Sequence, residues 1–247
     1  MSHSIESLMK DLREMGISAG DTLLVHTSLR KVGETENRAN GVIEALTRVL
    51  GNDGLLVLPT LTYECSAAGD PLYDYRTTPA LTGVLPNVFL TYPGVVRSLH
   101  PTHSVAAWGK DAEEFIKGHE NFDTPCAKGS PWGKLAERNA KILFIGCTLR
   151  SNTFLHAVEE WHDYIGITPE AEMLYTIMPD GTRKEVPSRR HTGNHNAWYE
   201  KIRPHLEAGN ALTCGKFGNA ECLLLDAVLT GEIAWKCLDS DPAYFTF

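Results

Sequence analysis

The sequence has 247 residues, of which 43% are hydrophobic and 22% charged, values typical of a globular protein with a sizeable core. It carries 23 Lys and Arg residues against 31 Asp and Glu residues, and the formal net charge of −8 argues against a nucleic-acid-binding protein. Six cysteines are scattered without a C-x-x-C pair, no stretch approaches a membrane span, and the N-terminus has no signal-peptide pattern. We therefore expect reduced thiols and a cytoplasmic protein, with neither nucleic acid nor membrane as a partner.

The hydrophobic pattern alternates between helical and strand-like segments along the chain. Predicted helices cover 5–15, 40–50, 84–90, 111–118, a segment that starts at Ser130-Pro131, 153–161, 197–208 and 226–238. Predicted strands cover 22–25, 54–58, 105–108, 141–145 and 222–225, and a hairpin is predicted to turn at Asp180-Gly181. This order predicts an α/β fold with a mixed sheet flanked by helices, formed as a single domain over residues 1–247.

The stretch 141–162 combines a predicted strand, a glycine and a predicted helix with two distinct faces. One face is apolar, and the other is a polar stripe formed by Thr153, His156, Glu159 and Glu160. A histidine with two carboxylates one turn away, near the start of a helix that follows a strand, suits a general base. A solvated helix face is the other interpretation, and the spacing alone does not decide between them.

Ten histidines, several of them beside predicted strand or helix ends, raise the alternative of a metal-dependent hydrolase that uses loop histidines. The usual zinc-protease motifs are absent, because His156 and His162 lie six residues apart and do not share a helix face. The sequence also lacks a G-x-S-x-G elbow and the glycine-rich loops of nucleotide-binding proteins. We therefore expect no metal, although a site assembled from separate loops stays open.

Two segments are suited to binding phosphate. The run from His26 to Lys31 offers hydroxyl groups and two cations directly after a predicted strand. The Ser130-Pro131 pair is typical of a helix start, where free backbone N–H groups can receive an anion. Either segment alone is weak evidence, because polar strand ends and capped helices are common.

Taken together, five blocks of sequence resemble the aminoglycoside 3-N-acetyltransferase family. The matching blocks are Val25–Leu29, Arg97–Ser104 with Ala106–Gly109, Gly129–Leu135, Leu143–Gly146 through Thr153–Glu159, and Gly215–Gly218 with Cys222. They span roughly residues 20–225 in order. The resemblance implies an α/β fold of the family's own, distinct from the common GNAT acetyltransferase fold. It also implies acetyl-CoA as the cosubstrate and an amino group as the acceptor.

The resemblance also implies roles for particular residues. The family's motif gives the general-base role to His156, with Glu159 directly behind it. The cofactor contacts of the family correspond here to His26, Thr27, Ser28, Leu29, Ser104, Val105, Ser130 and Pro131. The first four and the last two of these coincide with the segments that are suited to phosphate on physical grounds.

The acceptor is less well defined by the sequence. Where resistance enzymes of the family carry an acidic residue after the hairpin, this chain has two arginines before His191, which oppose a polycation. We expect a small-molecule amine, either an aminoglycoside or another small amine or amino sugar. Candidate acceptor-binding residues are Glu64, Asp70, Asp74, Glu160, His103, His191 and His195. A non-catalytic CoA-binding relative is a further alternative, and a homodimer is a possible assembly.

Overall fold

The computed structural model describes residues 2–63, 70–162 and 166–246, and a mixed β-sheet forms its centre. The strands of the described residues are β1 (Thr22–Thr27), β2 (Leu55–Pro59), β3 (Leu72–Asp74), β4 (Val96–Arg97), β5 (Val105–Gly109), β6 (Lys141–Ile145), β7 (Glu172–Ile177), β8 (Arg183–Ser188), β9 (Leu212–Phe217) and β10 (Ala220–Asp226). Seven of these pair in the order β4-β5-β2-β1-β6-β10-β9. The central strands β2, β1 and β6 are parallel, and the outer pairs are antiparallel.

A smaller sheet contains the remaining strands in the order β3-β7-β8. β7 and β8 form an antiparallel hairpin, and Met178 N donates to Thr182 O across its turn, as the Asp180-Gly181 signal predicts. β3 pairs with β7 in parallel.

Helices cover both faces of the large sheet. They are α1 (Ile5–Glu14), α2 (Leu29–Val32), α3 (Ala39–Leu50), α4 (Val84–Phe89), α5 (Ala112–Ile116), α6 (Pro131–Glu137), α7 (Thr153–Trp161), α8 (Arg203–Ala208) and α9 (Ala227–Ser240). Short 3-10 segments lie at His119–Asn121, Leu149–Ser151 and His195–Ile202. No helix among the described residues is long and apolar enough to cross a membrane.

The strand β1 shows why the sheet is buried on both faces. Leu23 and Val25 belong to an apolar cluster with α1 and α3, whereas Leu24 belongs to a second cluster with α6, α7 and α9. Successive side chains of a strand point to opposite faces, so one apolar run supplies both cores. The two clusters cover the faces of the sheet, and a cleft opens at the carboxyl ends of the central strands.

The predicted α/β fold with a mixed sheet flanked by helices is confirmed. The segment predicted as one helix over 197–208 is a 3-10 segment followed by α8. Three strands were not predicted: β3 lies inside a stretch of loop composition, β4 has only two residues, and β9 has no regular alternation of buried residues. β3 depends on pairing with the distant strand β7, which local pattern does not encode, whereas β4 and β9 pair with the strands that follow them, β5 and β10. The single domain over residues 1–247 stays a prediction.

Candidate active site

A cleft of about 560 Å³ opens at the carboxyl ends of β1 and β2, where ligands bind in open α/β sheets. Its floor includes His26 and Thr27 from β1 and Pro59 from β2. The segment between β6 and α7 forms one wall, and the loop after β8 forms another. The other lining residues are Val25, Leu61, Tyr63, Leu81, Thr82, Pro86, Thr102, His103, Arg150, Ser151, Asn152, Thr153, His156, Arg190, His191, Gly193 and Asn196.

The sequence determines locally how α7 enters this wall. Gly146 ends β6 with φ 64°, and a Cβ there would lie 2.5 Å from Cβ of Lys31, so glycine is required for this turn. Asn152 then caps α7, because its side chain accepts a hydrogen bond from the N–H of Phe154. His156 and Glu159 therefore sit in the first two turns of the helix, with His156 in the cleft wall.

Glu159 is the centre of a hydrogen-bonded cluster at the base of α7. Its Oε2 lies 3.1 Å from Nδ1 of His156 and accepts a hydrogen bond from the Tyr199 hydroxyl at 2.6 Å. Its Oε1 lies 2.8 Å from Nδ1 of His195. The carboxylate is 4% exposed, so these partners replace the water that it loses on burial.

His156 presents one ring nitrogen to this cluster and the other to the cleft. Besides Glu159, the Tyr199 hydroxyl oxygen lies 2.6 Å from its Nδ1, whereas Nε2 has no partner among the described residues. An Nδ1–H that donates to the carboxylate leaves the lone pair on Nε2. The side chain is 20% exposed and lines the cleft, so a bound molecule can reach that nitrogen.

The charges of this cluster follow from burial and from these contacts. Burial and the neighbouring His191 lower the pKa of His156, and hydrogen bonding to Glu159 opposes them in part. Burial raises the pKa of Glu159, but hydrogen bonds from His156 and His195 outweigh it and lower this pKa to about 2. Burial and the charge of Glu159 raise the pKa of Tyr199 well above its usual value. At neutral pH the cluster therefore holds a neutral His156, an ionised Glu159 and a protonated Tyr199.

A second histidine–glutamate pair lies directly beside the first. Nε2 of His191 is 2.7 Å from Oε1 of Glu160, and the rings of His156 and His191 stack with centroids 4.4 Å apart. Glu160 also accepts a hydrogen bond from the backbone N–H of Cys126 at 2.9 Å. Its side chain is 2% exposed and lies outside the cleft lining, and Glu160 borders a second, smaller cavity instead.

The predicted cofactor residues fall into two groups. His26 and Thr27 line the cleft, and Ser28 and Leu29 continue from them into α2. Burial lowers the pKa of His26 to about 3, so its ring is neutral. Ser104, Val105, Ser130 and Pro131 do not line the cleft. Their side chains are buried in the core or bonded internally: Ser104 Oγ donates to Thr60 O, and Ser130 caps α6.

The predicted acceptor-binding residues also fall into two groups, those that line the cleft and those that do not. His103 and His191 line the cleft, whereas His195 lies outside the lining and contacts Glu159. Asp70 and Asp74 lie outside the lining, because Asp70 accepts from the N–H of Leu72 and Asp74 pairs with Arg76. Glu64 lies outside the described residues. Among the described residues, the cleft lining contains Arg150 and Arg190 but no carboxylate.

Three residues of the site were not identified from the sequence: Tyr199, Asn152 and Arg150. Tyr199 is 40 residues from Glu159 along the chain, and nothing in its local pattern distinguishes it from a core aromatic. Arg150 and Asn152 lie in the short segment between β6 and α7. The Ser-Asn-Thr cluster there marks a helix start, which was the available signal for Asn152.

Comparisons with known proteins agree with this geometry. Residues 24–239 match the family model described as aminoglycoside 3-N-acetyltransferase. A prophage-derived aminoglycoside N(3')-acetyltransferase-like protein, YokD of Bacillus subtilis (strain 168), is 28% identical over 94% of this chain and 90% of its own length. Aminoglycoside N(3)-acetyltransferase IV of Salmonella is 35% identical over 62% of this chain and 57% of its own.

Solved structures extend the comparison to the whole fold. The crystal structure of YokD superposes with a TM-score of 0.88 at 26% identity, covering 98% of this chain and 96% of that one. AAC-IIIb in a binary complex with CoASH gives a TM-score of 0.85 at 25% identity, covering 97% of each chain. A mutant of AAC(3)-IVa in complex with a gentamicin gives 0.85 at 27% identity, covering 99% of this chain and 92% of that one.

The family match covers far more than half of the chain, from within β1 through the rest of the central sheet, together with the wall that carries His156 and Glu159. The resemblance predicted from the five sequence blocks is confirmed, and so is the prediction of an acyltransferase. The chain belongs to the aminoglycoside 3-N-acetyltransferase family.

Proposed function

We propose that this protein transfers an acetyl group from acetyl-CoA to an amino group of a small acceptor, with His156 as general base. The observation that carries the proposal is the orientation of one imidazole. Nδ1 of His156 lies against Glu159 and Tyr199, and Nε2 is without a partner among the described residues in the cleft wall. A neutral histidine with its free lone pair towards a substrate cleft is the form that can accept a proton.

The reaction is a direct acyl transfer. The amine nitrogen forms a bond to the thioester carbonyl carbon, and its N–H proton passes to Nε2 of His156. The C–S bond then breaks, and its electron pair leaves on the sulfur of CoA. The imidazolium returns the proton to this thiolate, so that an acetamide and CoA are released and His156 is neutral again.

Glu159 and Tyr199 act on this step through His156. The carboxylate fixes the tautomer with hydrogen on Nδ1, and its negative charge stabilises the imidazolium that forms during the transfer. Tyr199 holds the same carboxylate oxygen at 2.6 Å and restricts its position. His195 occupies the other oxygen, so that the carboxylate cannot rotate away from His156 without losing a hydrogen bond.

The donor is proposed to bind along the end of β1. His26 and Thr27 line the cleft there, followed by Ser28 and Leu29, and Arg150 stands exposed on the opposite wall. Arg150 is exposed and lines the cleft, and its guanidinium suits a phosphate. Ser104, Val105, Ser130 and Pro131 are proposed on the family resemblance alone, since their side chains are occupied within the core.

The acceptor is proposed to be an amine of low positive charge. A polycationic aminoglycoside calls for carboxylates, and the described part of the cleft lining has two arginines in their place. Arg190 is neutralised by Glu172, which leaves Arg150 as the exposed cation of the described wall. A small amine or amino sugar therefore suits the cleft better than an aminoglycoside does. A cytoplasmic location and a homodimer stay predictions.

A thiol-release assay tests the proposal. Purified protein is incubated with acetyl-CoA and, in separate reactions, gentamicin, sisomicin, glucosamine or glucosamine 6-phosphate. We expect release with at least one amine, faster for an amino sugar than for an aminoglycoside, and loss of release in His156→Ala with CoA binding retained by calorimetry. Turnover in His156→Ala equal to the wild type would remove His156 from the mechanism. CoA binding without release for any amine favours a non-catalytic CoA-binding relative.

A further inference from the structure

Cys126, Glu160 and His191 form a cluster of side chains behind the cleft wall that the acetyl-transfer proposal does not use. The Sγ of Cys126, a carboxylate oxygen of Glu160 and a ring nitrogen of His191 all lie within 4.8 Å of one another. We propose that this cluster binds one divalent transition-metal ion of the zinc type. The inference is independent of the proposed function, because it concerns a different set of side chains and a different ligand.

The hydrogen bonding of the cluster is incomplete in a way that a cation would correct. Oε1 of Glu160 has two partners, the N–H of Cys126 at 2.9 Å and Nε2 of His191 at 2.7 Å. Among the described residues, Oε2 of the same carboxylate is buried and has no partner, and Nδ1 of His191 is in the same condition. A buried carboxylate oxygen without a donor costs free energy, and a cation bound to the Glu160 carboxylate would replace the missing donor. Nε2 is the ring nitrogen of His191 that faces Glu160, so Nε2 and not the orphan Nδ1 would bind the same ion.

Burial distinguishes this cluster from the acidic groups that are common on protein surfaces. The Cys126 side chain is fully buried, that of Glu160 is 2% exposed and that of His191 is 13% exposed. Solvent therefore cannot satisfy the buried Oε2 of Glu160. A cation could approach from the cleft side, where His191 forms part of the lining.

The donor set defines the kind of metal. Thiolate, imidazole and carboxylate together suit zinc and its first-row neighbours, whereas magnesium and calcium prefer oxygen ligands alone. Three protein ligands leave a further coordination position for water. Binding converts the Cys126 thiol into a metal-bound thiolate and releases its proton to solvent, so charge and atoms balance without any redox step.

A metal ion at this site would hold side chains in position. It would join three separate segments: the loop before α6, the helix α7 and the loop after β8. Cys126 and Glu160 are not part of the cleft lining, so the ion would lie behind the His191 ring rather than beside the substrate carbonyl. Because His191 stacks on His156 at 4.4 Å, the ion would fix the ring against which the proposed base packs. This is a structural role, different from the metal-dependent hydrolase considered from the sequence.

Cobalt binding provides the test. Tag-free protein is stripped with a chelator, dialysed and titrated with Co²⁺, with absorption spectra recorded at each step and Zn²⁺ added at the end. We expect about one equivalent of Co²⁺ per chain, a thiolate-to-cobalt charge-transfer band, and displacement of the cobalt by Zn²⁺. Metal analysis of the protein before stripping gives an independent count. Binding of less than about a tenth of an equivalent would overturn the proposal.

Variants locate the metal. In Cys126→Ser the charge-transfer band should disappear and Co²⁺ affinity should fall by at least about tenfold, and Glu160→Gln should weaken binding while retaining the band. Cys222→Ser is the matched control, because Cys222 is another buried free thiol and lies outside the cluster. Should Cys126→Ser fail to fold, the wild-type band together with weaker Co²⁺ binding in His191→Gln replaces that measurement. An unchanged band in Cys126→Ser, or its loss in Cys222→Ser, would contradict the assignment.

Discussion

Glu159 and Glu160 are neighbours on α7, and each is hydrogen-bonded to a histidine, yet the two pairs differ in what they face. Glu159 lies under His156, whose second nitrogen is open to the cleft. Glu160 lies under His191, whose second nitrogen is buried without a partner among the described residues. In the proposed mechanism the first pair exchanges a proton with a bound molecule, whereas the second pair has no nitrogen open to the cleft.

The difference arises from the elements that surround each carboxylate. Glu159 receives the hydroxyl of Tyr199 and the ring of His195, both from the same 3-10 segment. Glu160 instead receives a backbone N–H from the loop before α6. Identical side chains one position apart thus acquire different hydrogen-bond partners, because a helix directs consecutive residues towards different neighbours.

The largest expected effect is on kcat, and it should differ between substitutions of Glu159 and of Glu160. Glu159→Gln removes the charge that stabilises the imidazolium, and kcat should fall by about 10²–10⁴-fold, the range that general acid–base catalysis supplies. Glu160→Gln acts on His156 only through the stacked ring of His191, and its effect on kcat should be smaller, less than about tenfold. The measurement is steady-state thiol release with the best acceptor of the amine panel.

Calorimetric CoA binding serves as the control for both variants, and it should stay close to the wild-type value. Equal losses of kcat in Glu159→Gln and Glu160→Gln would show that the two pairs do not differ in the way proposed.

A second effect concerns the hydroxyl of Tyr199. Tyr199→Phe retains the ring that packs on Phe245 but removes the donor to Glu159, so kcat should fall by about tenfold. The buried carboxylate also loses a partner, and the free energy of unfolding should decrease by about 1–3 kcal/mol. Urea unfolding and steady-state kinetics measure the two quantities. Tyr244→Phe is the matched control: Tyr244 also packs on Phe245, but its hydroxyl donates to Lys201 O outside the cleft.

A third effect, on stability alone, distinguishes histidines with a carboxylate partner from a histidine without one. The pKa of His26 is lowered by burial to about 3, whereas the unfolded chain titrates near about 6.5. Below pH ~6.5, His26 binds a proton in the unfolded state but stays neutral in the folded state. The free energy of unfolding therefore decreases as pH falls. From neutral pH to pH ~5, His26 should account for a loss of about 2 kcal/mol.

Urea unfolding at both pH values checks this linkage. His26→Gln should lose about 2 kcal/mol less than the wild type over that interval. His205→Gln replaces an exposed histidine and should lose as much as the wild type does. A His26→Gln variant with the full wild-type loss would show that His26 is protonated in the folded state.

Much of the fold was accessible from the sequence, because the central strands are short apolar runs with clear ends. β1, β2 and β6 are buried on both faces, and such runs show plainly against the amphipathic helices between them. β9 escaped prediction because exposed and buried residues do not alternate in it, and only its pairing with β10 makes it a strand.

Contacts within the site could be predicted from the sequence only where both residues lie on the same helix. His156 and Glu159 are three residues apart on one helix, so their contact follows from helical spacing. Tyr199, Cys126 and His191 reach α7 from distant loops, and no local pattern specifies such contacts. Asp74 shows the opposite case, in which the sequence suggested a site that the structure does not form. Its carboxylate was predicted to bind the cationic acceptor, but it is neutralised by its neighbour Arg76.

The pH dependence of kcat tests most directly whether His156 is the base. Burial and His191 lower its pKa, so it accepts a proton over the whole neutral range and loses this ability as pH falls through a value below about 6.5. The wild type should show an acidic limb with a midpoint below that value. In His156→Ala, the residual rate, measured by product chromatography over long incubations, should lose this limb. A limb that persists in His156→Ala at the wild-type midpoint would assign the essential ionisation to another group and contradict the account.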